Sequence, residues 1–261
     1  MIYNNLGHNT MTNFNIQIIS DSVCPVRPPS LRLLLHTRLI SNLPPQWCYV
    51  GLRRLSRAIA THKSIHPTDT FTLTWHAYYL RPDNPPYPGI DKREYYISRF
   101  GEDGFSQISN KLGEVGLQEG IAFKFSGKLG NTRDSHRVIW YAGKKEREAG
   151  APAATEPGVV GGLQTKVVEN LFKAYFEEGG NITDQKMLLE AAVLAGLDRG
   201  EVERLLKSDD GGQEVDLEAA RAQRQLVTGV PYYTIQGQYA IGGAEDSSAF
   251  LQAFEQVKQN S

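Results

Sequence analysis

Cysteine is scarce: the chain of 261 residues holds two, Cys24 and Cys48. Two thiols build neither a disulfide scaffold nor a structural zinc site. The six histidines are scattered along the chain, so no metal is expected. Excess charge of either sign is missing too. Lys plus Arg number 28 against 29 Asp plus Glu, a formal net charge of −1. With no dense basic run, that balance excludes a nucleic-acid partner held by electrostatics. "GKKERE" at 143–148 is mixed in sign and reads as a solvated helix end. Long apolar runs are absent as well. "LRLLLHTRLI" is broken by Arg32, His36 and Arg38, too short and too charged to span a bilayer. The opening "MIYNNLGHNTMTNF" is polar and lacks the apolar stretch of a signal peptide. The expectation is a cytoplasmic protein without a membrane partner, with residues 1–12 a disordered extension and Met11 a candidate alternative start.

What is present alternates between two periods. "FNIQIIS" at 14–20 reads as a strand, 49–63 carries helical spacing, and "FTLTWHAYYL" at 71–80 alternates and then turns apolar as a buried strand does. Strand, helix, strand is the order of a parallel βαβ unit. "RPDNPPYPG" then makes a proline-rich loop. Helical patterns follow at 91–100, 102–117, 132–148, 163–178, 184–195 and 200–208, with a flexible connector at 148–162 and an Asp198 N-cap before the last. The end returns to short strands at 232–236 and 238–241 about a Gln236–Gly237 turn, then an amphipathic helix over 246–259. The fold class expected is α/β: a thioredoxin-like fold (β-α-β, then β-β-α) interrupted by a large helical insertion. Residues 13–82 and 226–258 would form the thioredoxin-like domain and 83–225 the insertion.

The two cysteines lie in "SDSVCP" and "WCYVGLRRL", 23 residues apart. With "DSHRVIWYA" at 134–142 and "GVPYYTIQGQYAIGGAE" at 229–245, these segments resemble the DsbA-like thioredoxin family over nearly all of 13–257. The branch is the FrnE-like one, related to 2-hydroxychromene-2-carboxylate isomerases. Members of that family carry Cys-Pro-Trp-Cys where the first helix starts. Deleting 26–46 here restores "SDSVCPWCYVGLRRL". The removed piece has 21 residues and no acidic side chain, begins with Val26 (codons starting GT) and ends with Gln46 (CAG among its codons). An in-frame retained intron of 63 nucleotides is the reading these boundaries favour over a loop insertion.

The resemblance implies a thiol–disulfide oxidoreductase acting on protein or small-molecule disulfides. Exchange needs a thiolate attacker and a second thiol within bonding reach, which two intervening residues at a helix start provide. Cys24 is then the nucleophile, Cys48 the resolver, and Pro25 and Trp47 the residues between them. Pro231 would be the cis-proline facing the dithiol, with Val230 before it offering backbone to substrate. "SHR" at 135–137 matches a family tripeptide near the cleft, so His136 is a pocket candidate, as is Asn131; Leu80 and Pro82 follow a strand end facing the same cleft. No cofactor is required, and glutathione is the small thiol the resemblance admits. The alternatives are a glutathione-dependent isomerase or transferase of the same fold, and a non-catalytic thioredoxin-like binding module.

Overall fold

The computed structural model describes residues 11–23, 47–150 and 161–260. Cys24, Pro25 and the 26–46 segment therefore lie outside the described residues.

Strand β1 (Asn13–Ser20) pairs in parallel with β2 (Thr70–Ala77), in register from Asn13 opposite Thr70 to Ser20 opposite Ala77. Helix α1 (Trp47–Ile65) lies in the connection between them. On its other edge β1 pairs antiparallel with β5 (Tyr232–Ile235), which pairs with β6 (Tyr239–Gly242), so the sheet order is β2-β1-β5-β6. Gln236 and Gly237 both take positive φ (52° and 66°) to make the turn between β5 and β6. Helix α8 (Ser247–Gln259) packs beside α1. Phe14, Phe71 and Phe254, from β1, β2 and α8, meet with ring centroids 4.7–5.1 Å apart. Each such buried ring contributes about 1.5–3 kcal/mol.

The helical insertion runs between β2 and β5. It holds α2 (Lys92–Glu119), α3 (Arg133–Glu148), α4 (Leu163–Phe172) with a π-turn at Lys173–Glu177, α5 (Gln185–Ala195), α6 (Arg199–Lys207) and α7 (Gly212–Arg224). A short ladder of β3 (Ile90–Asp91) and β4 (Lys128–Leu129) sits among them. The β-α-β and β-β-α halves around a helical insertion are the thioredoxin-like architecture expected.

The helical patterns at 91–100 and 102–117 hold: α2 is two helical stretches joined at a kink, Gly101, whose φ of 74° and ψ of 170° no helix accommodates. The differences have local causes. Helix α7 has no counterpart in the sequence reading, because its buried face is Val215, Ala219 and Ala222, too weakly apolar to stand out. The second strand stops at Ala77: Tyr78 N still donates to Ser20 O at 3.0 Å, and Leu80 N turns to the Asp21 side chain at 2.8 Å.

Candidate active site

The site forms where β1 ends, α1 begins and the loop before β5 passes between them. Trp47 and Cys48 are the first two residues of α1. Cys48 is 1% exposed. Three residues on, Gly51 allows the closest approach: a Cβ there would lie 3.0 Å from Pro231 Cγ and would overlap the Tyr233 hydroxyl. Only a glycine lets the first turn of α1 close onto Pro231 and Tyr233. The Val230–Pro231 bond is cis, as is Tyr87–Pro88, and the Pro231 carbonyl accepts from Gly243 N at 2.8 Å. Tyr233 is fully buried, and its hydroxyl has no hydrogen-bond partner among the described residues. Burial first, and then the nearness of Cys48, push its phenol well above the usual range. Trp47 Nε1 is likewise buried and unpartnered among the described residues.

The chain leaves β1 through Asp21, Ser22 and Val23, all nearly inaccessible. Asp21 Oδ2 accepts from Leu80 N at 2.8 Å, and its Oδ1 faces Val23 N and His136 Nε2, each at 3.4 Å. His136, 3% exposed, is also packed edge-on against Tyr79 at 5.5 Å. Ser22 meets Ser135 hydroxyl to hydroxyl at 2.8 Å, while Ser135 also lies 2.7 Å from Thr132 O. One proton serves each hydroxyl, so Ser135 donates to the carbonyl and accepts from Ser22.

Arg137 completes the tripeptide by closing the end of α6. It donates to Asp210 O at 2.9 Å, Leu205 O at 2.5 Å and Ser208 O at 2.7 Å, with Asp134 Oδ1 at 2.8 Å. The three residues of "SHR" thus have three jobs: two tie the insertion to the end of β1, and the third ties α3 to α6.

Between these elements is a small cleft, with room for about one water molecule. Ser20, Ser22 and His136 give it a polar wall, and Trp75, Ile139 and Phe172 an apolar one. Phe172 also touches Tyr49 of α1 at 5.3 Å, joining the cleft to the helix that carries Cys48. His76 borders the cleft with both nitrogens held, by Gln17 Oε1 at 2.6 Å and Glu218 Oε1 at 3.2 Å. Burial raises the Glu218 carboxyl, but the hydrogen bonds from His76 and Ala77 N outweigh it and hold the group below its ordinary value.

The structure thus brings Cys48, Trp47, Val230 and Pro231 to one end of α1, and His136 to the neighbouring cleft. Asn131 serves the fold: its Oδ1 accepts from Arg133 N at 2.8 Å, and its Nδ2 reaches Pro82 O at 3.3 Å. Sequence reasoning missed Asp21, Ser22 and Tyr233. The signal for Asp21 was its place directly after an apolar strand; for Tyr233, a hydroxyl at a position the strand alternation buries.

The DSBA-like thioredoxin domain family matches residues 45–255, most of the chain. No curated protein matches significantly. Among solved structures, a probable DsbA oxidoreductase from Streptomyces coelicolor superposes with a TM-score of 0.71 at 21% identity, covering 95% of this chain and 91% of that one. A 2-hydroxychromene-2-carboxylate isomerase gives 0.58 at 15% identity, covering 94% and 97%. The cytosolic disulfide reductase DsbM from Pseudomonas aeruginosa, solved with glutathione, gives 0.52 at 13% identity, covering 95% and 100%. At these identities the likeness is one of fold.

Proposed function

We propose that this chain, which belongs to the DsbA-like thioredoxin-domain family, is a thiol–disulfide oxidoreductase whose dithiol is Cys24 and Cys48. The observation that carries the reading is Cys48 in the first turn of α1, with Gly51 packed on Pro231. The first turn of a helix presents unpaired N–H groups, which favour an anionic sulfur. In the forward sense the Cys24 thiolate attacks one sulfur of the substrate disulfide. A Cys24–substrate bond forms and the substrate's own S–S bond breaks, releasing one substrate thiolate. Cys48, losing its proton to solvent, then attacks Cys24. The Cys24–Cys48 bond forms, and the second substrate thiolate leaves. The substrate gains two electrons and the dithiol loses them; oxidation of a substrate dithiol is the same path reversed. By the family resemblance, the Val230–Pro231 loop beside α1 would lie along the path of an extended substrate.

The 26–46 segment separates the two cysteines, and the family match begins at 45, on its far side. That supports the reading of 26–46 as an interruption of Cys-Pro-Trp-Cys, and activity belongs to the form without it. The test has two arms. Transcripts across codons 20–52 should lack the 63 bases, and the protein without residues 26–46 should form a reversible intramolecular disulfide abolished by Cys48→Ser. Transcripts that keep the bases, with no disulfide in either form, would overturn it.

A small thiol, glutathione, is one substrate this reading admits, since a protein of similar fold was solved with glutathione. A cytosolic relative supports a cytoplasmic setting. Glutathione binding without disulfide turnover would favour the isomerase or transferase alternative.

A further inference from the structure

We propose that His62, His66 and Glu255 form a binding site for a divalent transition-metal ion of the Zn²⁺ type, at the end of α1 remote from Cys48. The sequence reading took the histidines as scattered. The fold corrects this for two of them: His62 lies in the last turn of α1 and His66 just past it, four residues on, with His66 N donating to His62 O at 2.8 Å. Their ring centroids are 4.7 Å apart at an interplanar angle of 37°. Helix α8 supplies Glu255, whose Oε1 is 3.7 Å from His66 Nε2. One ligand atom from each of the three residues lies within 4.8 Å of the others. Zinc bonds of about 2.0–2.1 Å in a tetrahedron need donors roughly 3.4 Å apart. The remaining roughly 1.4 Å at most is within reach of Glu255 and His66, whose side chains are 54% and 22% exposed.

A second, independent feature lies behind the ring that cannot move. His62, 1% exposed, has Nε2 2.8 Å from Asp69 Oδ2. Asp69 is itself held by Thr12 N at 2.9 Å and Lys258 Nζ at 2.7 Å. A carboxylate accepting from one ring nitrogen fixes the tautomer and leaves the lone pair on the other, here Nδ1, which is the arrangement behind metal-bound histidines. Phe14, Phe71 and Phe254 stand edge-on or nearly so around the ring, with centroids 5.0–5.6 Å away, and lock its orientation. Two imidazoles and one carboxylate leave a fourth position for water.

The site is fourteen residues along α1 from Cys48, about 21 Å at helical rise. It joins α1 to α8 and stands apart from the thiol chemistry. The test is a calorimetric Zn²⁺ titration of the full chain carrying Cys24→Ser and Cys48→Ser, which removes the thiols as competing ligands. One equivalent should bind with a dissociation constant of about 1 µM or tighter. His66→Ala and Glu255→Gln, both at accessible positions, should each weaken binding at least tenfold. At about a hundredfold excess of Zn²⁺ over that constant, the parent melting temperature should rise by about 5 °C or more, and the His66→Ala protein should show little change. No binding at millimolar Zn²⁺, or binding that both variants retain, would overturn the site.

Discussion

Gly51→Ala is the sharpest probe of the contact between α1 and Pro231. In an ordinary helix interior this change stabilises by up to about 1 kcal/mol. Here the new methyl would overlap the Tyr233 hydroxyl and press on Pro231 Cγ at 3.0 Å. Neither neighbour yields easily. Tyr233 is fully buried and packs perpendicular to Phe250 at 4.9 Å, and Pro231 is fixed by its ring and by Gly243. Overpacking of this kind costs about 1–3 kcal/mol, so after the propensity gain the variant should lose about 1–2 kcal/mol, or roughly 2–8 °C in Tm. Tyr233→Phe removes the clashing oxygen and also a buried hydroxyl without a partner among the described residues. It should be neutral or stabilising by about 1 kcal/mol. In that background Gly51→Ala should cost much less, a coupling of at least about 1 kcal/mol in a double-mutant cycle measured by urea unfolding. Additive effects, or an alanine variant more stable than the parent, would refute the close approach.

Two further changes test the insertion. Lys92 is fully buried, donates to Tyr175 O at 3.0 Å and is pushed down to about 7 by burial. The unfolded chain holds this proton up to about 10.5, so between pH 7 and 9 unfolding takes up a proton and stability should rise with pH. The slope is at most about 1.4 kcal/mol per pH unit, and denaturant midpoints of Lys92→Met across this range should lack the rise. Arg137→Ala strips three carbonyls at the end of α6 of their donor. It should cost about 3 kcal/mol, with amide exchange in α6 accelerated ahead of the sheet.

The thioredoxin-like frame is legible because its signals are local. β1 and β2 alternate, and α1 and α8 carry apolar stripes, so period alone gives β-α-β and β-β-α. The insertion is legible in part: the kink at Gly101 shows as a break between two helical patterns, but α7 is hidden because its buried face is mostly alanine. Of the polar anchors of the cleft only His136 is marked in the sequence, through its tripeptide; Asp21 and Ser22 are not. Asp21 meets His136 across 115 positions and Ser22 meets Ser135 across 113. No local pattern marks which of many Asp and Ser residues the fold will pair. His62 and His66 are close by spacing alone, but Glu255 and Asp69 join them only through tertiary packing.

The measurement closest to the central claim is a thiol count on the chain without residues 26–46, equilibrated across a series of dithiothreitol redox buffers and read by mass and by alkylation. The account predicts a single transition in which Cys24 and Cys48 lose both thiols together, with a mass lower by two hydrogens, reversible on reduction and absent from Cys48→Ser. Two thiols that stay alkylatable under every oxidising buffer would contradict it.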